Sequence, residues 1–216
     1  MSAQQRGLLL DFGGVISVTL FERHRLNERL LGLPAGTLTW RGPFDPQGDE
    51  IWRDMLDGRI SERDYWAFRA KETGARVGED WNMLAMIRHT MGDDPNLHIR
   101  PEARDFIYLV KAAGRRVGIL SNELELFYGA DTMAKLDILE LMDSMVDATH
   151  TKILKPDPRA YALGCDALGL APANVVFVDD QERNIDGARA AGLIAIRFDV
   201  ANPARSFAEA ADALGL

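Results

Sequence analysis

The chain has 216 residues, 47% hydrophobic and 27% charged, with 33 acidic against 25 basic side chains and a net charge of −8. That length buries a sizeable core and allows one large domain or two small ones, while the acidic balance argues against a nucleic-acid partner and requires a local positive site for any anionic substrate. A single cysteine, Cys165, excludes an internal disulfide framework, fits a reducing compartment and reads as a small buried hydrophobe on a helix.

The N-terminal residues 1–6 lead into an apolar run too short for a signal segment, and no stretch is long enough to span a bilayer, so the expected location is cytoplasmic. Leu8, Leu9 and Leu10 read as a strand buried on both faces, the pattern of a parallel-sheet core. The run ends at Asp11, and Gly13 and Gly14 then let the backbone turn sharply and approach a bound group. Residues 19–31 space Leu20, Phe21, Leu26, Leu30 and Leu31 as a helix, stopped by Gly32 and Pro34. A long loop rich in Gly and Pro covers 35–48. Further helices are expected at about 49–57, at 61–74 behind a Ser61/Asp64 capping box, and at 79–91. The stretch 17–98 thus reads as an all-helical insert. All four tryptophans lie in it. Trp52, Trp66 and Trp81 are expected to pack its core, whereas Trp40, beside Arg41 in the loop, is a candidate substrate contact.

From Arg100 the pattern alternates. A helix 101–113 precedes the strand 117–120, which ends in Ser121-Asn122; a helical stretch 125–142 precedes a short strand near 144–148. The loop 151–158 carries Lys155-Pro156-Asp157-Pro158, with Asp157 capping and Pro158 opening the helix 158–168. Val175–Val178 is a doubly buried strand ending in Asp179-Asp180, followed by a helix 182–191, a strand 193–198 and a terminal helix. Strands alternating with helices imply a parallel sheet with right-handed crossovers. The expected fold is therefore α/β, a Rossmann-like parallel sheet core (1–16 and 99–216) with an inserted helical cap (17–98).

In a parallel sheet the residues that follow the strands collect on one edge. Here they are Asp11, Ser121, the loop bearing Lys155, and Asp179-Asp180. Clustered carboxylates repel unless a cation sits among them, and an all-oxygen donor set suits a hard ion such as Mg²⁺. Such a cation, with Lys155, would attract phosphate.

Asp11-Phe-Gly-Gly-Val, Ile119-Leu-Ser121-Asn, Lys155-Pro-Asp-Pro and Val178-Asp179-Asp180 resemble the four ordered motifs of the haloacid dehalogenase superfamily, and the insert resembles that superfamily's C1 cap class. The resemblance covers essentially the whole chain and implies a Mg²⁺-dependent phosphatase. It implies Asp11 as the nucleophile that forms an aspartyl-phosphate, Ser121 as a ligand of a phosphoryl oxygen, and Lys155 as the screen between Asp11 and phosphate. Phosphate contacts are implied at Gly13, Gly14, Ser121, Asn122 and Lys155. Asp11, the Gly13 carbonyl, Asp179 and Asp180 are the implied Mg²⁺ ligands.

One position departs from the pattern. Most phosphatases of this superfamily carry a second Asp two residues after the nucleophile, as general acid; here it is Gly13. Such an acid is worth about 10²–10⁴ in rate, roughly 3–5 kcal/mol of barrier. Esters whose leaving oxygen hardly needs a proton, such as sugar 1-phosphates and acyl or aryl phosphates, are then the expected substrates. The form also resembles a subgroup containing a glucose-1-phosphate phosphatase with Gly at this position. Two alternatives stand beside this: a metal-independent 2-haloacid dehalogenase, whose relatives also lack the second Asp, and a binding or regulatory member without turnover. Glu123 is a candidate stand-in acid, although a solvated helix start explains it too. His24, His89, His98 and His150 show no zinc-ligand spacing. Asn184 and Asp186 are candidates for the metal's outer shell.

Overall fold

The computed structural model describes residues 6–216; residues 1–5, part of the expected core segment and of the N-terminal reading, lie outside the described residues. Five parallel strands form a sheet in the order β3-β2-β1-β4-β5. They are β1 (Gly7–Leu10), β2 (Val117–Ser121), β3 (Ser144–Asp147), β4 (Val175–Asp179) and β5 (Ile194–Arg197). The central strand β1 is fully enclosed, and its side chains alternate between two cores. Leu8 and Leu10 join Ile107 and Val110 of α5 (Pro101–Ala112) and Phe207 of α11 (Pro203–Leu214). Leu9 faces Tyr161 and Leu168 of α9 (Pro158–Leu168) and Ile185 of α10 (Glu182–Ala190). The α9 contact needs Gly164, because a Cβ there would come within 2.7 Å of Leu9 Cδ1.

Between β1 and α5 lie four α-helices, α1 (His24–Leu30), α2 (Glu50–Leu56), α3 (Glu62–Arg76) and α4 (Met83–Met91), with shorter helical turns at Phe12–Ile16, Gly42–Phe44 and Pro95–His98. Helix α1 is shorter than its apolar spacing suggests. Thr19 offers both its N–H and its hydroxyl to Glu22 Oε2, each at 2.8 Å, which folds the chain into a turn before the helix begins. The Ser61/Asp64 capping box forms as expected. The buried carboxylate of Asp49 ties three segments together. It accepts from Gly42 N at 3.1 Å, Trp52 N at 3.0 Å, the Tyr65 hydroxyl at 3.0 Å and Arg69 Nη2 at 2.5 Å.

Trp40 corrects an expectation. It is buried rather than exposed, set edge-on to Phe21 at 5.3 Å and to His24 at 4.2 Å between ring centroids. The long loop folds back onto the insert's aromatic core, so this ring is a packing element; its neighbour Arg41 remains exposed. The helical stretch 125–142 also breaks, into α6 (Leu124–Tyr128), α7 (Ala130–Met133) and a 3-10 turn (Asp137–Leu141), because Gly129 adopts φ 76 and ends the first piece. A single unexpected turn, α8 (Ala148–Thr151), starts where Asp147 Oδ1 accepts from Thr149 N at 2.8 Å.

The insert leaves and re-enters the sheet through adjacent backbones. Ser17 bridges Ile99 in antiparallel fashion, Val18 N donates to His98 O at 2.9 Å, and Arg100 N donates to Ile16 O at 2.9 Å. The buried Arg100 side chain braces this crossing, donating to the Gly14 carbonyl at 3.0 Å and to both Glu22 oxygens at 2.7 and 2.6 Å. Among the described residues no helix is long and apolar enough to cross a membrane.

Candidate active site

Strand register brings the acidic groups together. Leu10 pairs with Val178, so one step on, Asp11 lies beside Asp179 at the carboxyl edge of the sheet. Gly14 sits there at φ 78, and a Cβ on it would come within 2.7 Å of Asp180 Oδ2. A side chain at that position would meet both a backbone penalty and a collision. Gly13 has ordinary dihedrals, φ −68 and ψ 124, and open space where its Cβ would be.

Lys155 reaches the same point from the loop before α9. Its ammonium is buried, 2.9 Å from Asp11 Oδ1 and 2.6 Å from Asp179 Oδ2. Asn122, just past β2, holds that loop in place: its Oδ1 accepts from Lys155 N at 2.8 Å and its Nδ2 donates to Lys155 O at 3.2 Å. Asp179 is further fixed by Gln181 N at 2.8 Å and by Asn184 Nδ2 at 3.0 and 3.1 Å from its two oxygens. Asn184 therefore supports the acidic cluster, while Asp186 is exposed and pairs with Arg189.

The electrostatics follow from three carboxylates facing one ammonium. Burial drives the Asp11 carboxyl up to about 7, and Asp179 adds to the rise, against the pull of Lys155. Desolvation and then repulsion from Asp179 and Asp11 raise Asp180 well above the ordinary carboxylate range. Burial works against the Lys155 charge, but Asp11 and Asp179 outweigh it and hold the ammonium above its usual value. One oxygen from each of Asp11, Asp179 and Asp180 lies within 4.8 Å of the other two. Such an all-oxygen set, short of positive charge, fits a hard divalent cation.

These groups line a cavity between sheet edge and insert. Asp11, Gly13, Gly14, Ser121, Asn122, Lys155 and Asp180 all border it, with Asp179 directly behind Lys155. The expected candidates thus converge on one place. Trp52 and Trp66 cover it from the insert, so these two rings belong both to packing and to the cavity wall.

Glu123 is drawn elsewhere. Held at φ 61, its buried carboxylate takes the guanidinium of Arg63 on α3, an ion pair between core and insert, and it does not line the cavity. His150 lies at the surface on Glu125, and His98 is buried against Met91 O at 2.6 Å. Three wall residues carried no signal in the sequence: Arg23, Glu62 and Tyr128. Each sits on a stretch where a charge or an aromatic at helical spacing has an ordinary explanation.

Comparison with known proteins agrees with this geometry. The family model described as "Hydrolase: haloacid dehalogenase-like hydrolase" matches residues 7–192. The chain is 34% identical over 160 residues to (S)-2-haloacid dehalogenase 1 of Pseudomonas sp. (strain CBS-3), covering 72% of this chain and 68% of that one. It is 30% identical over 196 residues to Phosphatase MT3486 of Mycobacterium tuberculosis, covering 89% and 86%. Among solved structures, the magnesium-bound putative HAD-hydrolase YfnB of Bacillus subtilis superposes with a TM-score of 0.71 at 15% identity, over 99% of this chain and all of that one, a likeness of fold alone. By its matched family model, its relatives and its α/β architecture, the chain belongs to the haloacid dehalogenase-like hydrolases.

Proposed function

We propose that this hydrolase is a Mg²⁺-dependent phosphatase of small phosphorylated metabolites, with residues 17–98 acting as a cap over the site. The observation that carries the reading is the charge count at the sheet edge: Asp11, Asp179 and Asp180 face a single ammonium, Lys155. A nucleophilic carboxylate must be ionised, yet burial, with repulsion from Asp179, raises the Asp11 carboxyl to about 7 despite Lys155. A divalent cation held by Asp11, Asp180 and the Gly13 carbonyl, with Asp179 direct or through water, would lower that value and neutralise phosphoryl oxygens.

In this mechanism the Asp11 carboxylate attacks phosphorus as the bond from phosphorus to the leaving oxygen breaks, giving an aspartyl-phosphate. Ser121 donates to a phosphoryl oxygen, and Lys155 balances charge between nucleophile and phosphate. Water then attacks phosphorus, releasing inorganic phosphate and restoring Asp11. No carboxylate stands at position 13 to protonate the leaving oxygen, so leaving groups that depart as stable anions are favoured: sugar 1-phosphates, acyl and aryl phosphates.

A second reading has its own support. The 34% identity to (S)-2-haloacid dehalogenase 1 and the Gly at position 13 are compatible with attack by Asp11 on carbon without metal. One experiment separates the readings. A panel of phosphate esters and 2-chloropropionate is assayed with Mg²⁺ and with EDTA, using wild type and Asp11→Asn. The phosphatase reading expects phosphate release that stops with EDTA, returns with Mg²⁺, falls at least about 10³-fold in Asp11→Asn, and rises with leaving-group acidity. Halide release that survives EDTA would replace it with the dehalogenase. Binding without turnover would mark a regulatory member.

A further inference from the structure

The cavity holds a second cation with no carboxylate of its own. Arg23, the residue preceding α1, is 7% exposed and borders the same cavity as Asp11, Ser121 and Lys155. Its Nη2 donates to the Thr90 carbonyl. His98 Nε2 lies 3.2 Å from that nitrogen, but the ring sits closer to Met91 O, at 2.6 Å, to which it gives its proton. Arg23 Nε is buried and has no hydrogen-bond partner. Among the described residues no Asp or Glu pairs with Arg23, in contrast to Arg69 and Arg100, the other buried arginines, which both do.

A buried guanidinium without a counter-ion is costly, and burial lowers its pKa to about 10, so it stays charged at neutral pH. Tyr128 borders the same cavity: its hydroxyl shares a hydrogen bond with Ser17 Oγ at 3.1 Å, and it feels the charges of both Asp11 and Arg23. The insert lends the same cavity the apolar side chains of Phe21, Trp66 and Ile87 and one carboxylate, Glu62, which pairs with Arg183 at 3.1 Å rather than with Arg23. One unit of positive charge in such surroundings balances one negative charge; a second phosphate dianion would leave charge uncompensated. A planar guanidinium also matches a carboxylate in shape.

We propose that Arg23 is a carboxylate-binding subsite, so that the leaving group of the substrate carries a carboxylate. This deepens the phosphatase reading and rests on it for the phosphate half of the ligand. The substrate class becomes a compact phosphorylated carboxylic acid, with an apolar body between its two anionic ends.

The test separates the two claims. Binding of 3-phosphonopropionate and of propylphosphonate, which lacks the carboxylate, is followed by fluorescence of Trp52 and Trp66 in the cavity wall, in the presence of Mg²⁺. Wild type is expected to bind the carboxylate-bearing ligand at least about tenfold tighter. Arg23→Met is expected to abolish that ratio and Arg23→Lys to keep part of it. Turnover of carboxyphenyl phosphate against phenyl phosphate should show the same preference in kcat/KM. Equal affinities for the two phosphonates in wild type would overturn the subsite even if both variants fail to fold, and so would a ratio that survives in folded Arg23→Met. A carboxylate preference in binding with no ester turned over would keep the subsite and overturn the phosphatase.

Discussion

Lys155 Nζ lies 2.6 Å from Asp179 Oδ2, both groups almost fully buried and 24 residues apart in the chain. The same ammonium also serves Asp11, so a single positive charge holds two acidic ends of neighbouring strands together. Removing it leaves two buried carboxylates unpaired. Lys155→Met is expected to abolish activity and to lower unfolding free energy by about 3–5 kcal/mol. Denaturant titration checks this, and part of the loss should return on adding Mg²⁺, because the cation would answer the same charges.

Position 13 accepts a side chain. Its dihedrals are ordinary and nothing stands within 4 Å of the notional Cβ. Gly13→Asp is therefore expected to fold with stability within about 1 kcal/mol of wild type. It should raise kcat for alkyl phosphates by about 10²–10⁴ while changing aryl phosphates little. Steady-state rates on the two ester classes, measured side by side, decide it.

His24 makes stability depend on pH. Burial lowers its pKa from 6.5 to about 4, so between those values the ring is neutral when folded and charged when unfolded. The unfolded state then binds more protons, and stability falls as pH drops from 6.5 towards 4. The difference between wild type and His24→Phe should be flat above pH 7 and shift in favour of the variant below 6.5, by up to about 1.4 kcal/mol per pH unit. Urea titrations at pH 4.5, 5.5 and 7.5 test the trend; a constant difference would contradict it.

Asp49 is the polar centre of the insert. Asp49→Ala removes the acceptor of Gly42 N, Trp52 N, the Tyr65 hydroxyl and the buried Arg69. A loss of about 3–5 kcal/mol is expected, with Asp49→Asn milder. Near-ultraviolet circular dichroism should report the loosened tryptophans.

Glu123 faces Arg63 rather than the cavity. Glu123→Gln is expected to keep kcat within a few-fold of wild type, since no proton transfer passes through it. Arg63→Ala, which leaves the buried carboxylate unpaired, should cost roughly 1–3 kcal/mol in a melting or denaturant series.

The sheet was legible because its signals are local. Leu8–Leu10 and Val175–Val178 are continuous apolar runs, and each ends in the acidic residue that the register then sets beside the other. Asp11, Ser121, Lys155 and Asp180 could be gathered from topology alone, since parallel strands share a carboxyl edge. What escaped depends on partners distant in sequence. Trp40 looks like a loop aromatic until Phe21 and His24 are seen against it. The break at Gly129 needs the positive φ there, which a helical apolar spacing conceals. Arg23 is one charge among several before α1, and only its burial without a carboxylate sets it apart.

The bridge between Ser17 and Ile99 has a constructional consequence. Since the two backbones cross side by side, everything from 18 to 98 is a detour that departs and returns at nearly one point. A short hairpin turn spliced there would close the remaining scaffold without stretching it, and a foreign helical lid could be grafted onto the same two anchors. On the proposed phosphatase reading, exchanging this one contiguous piece of sequence is the way to change leaving-group preference while the carboxylate edge stays untouched.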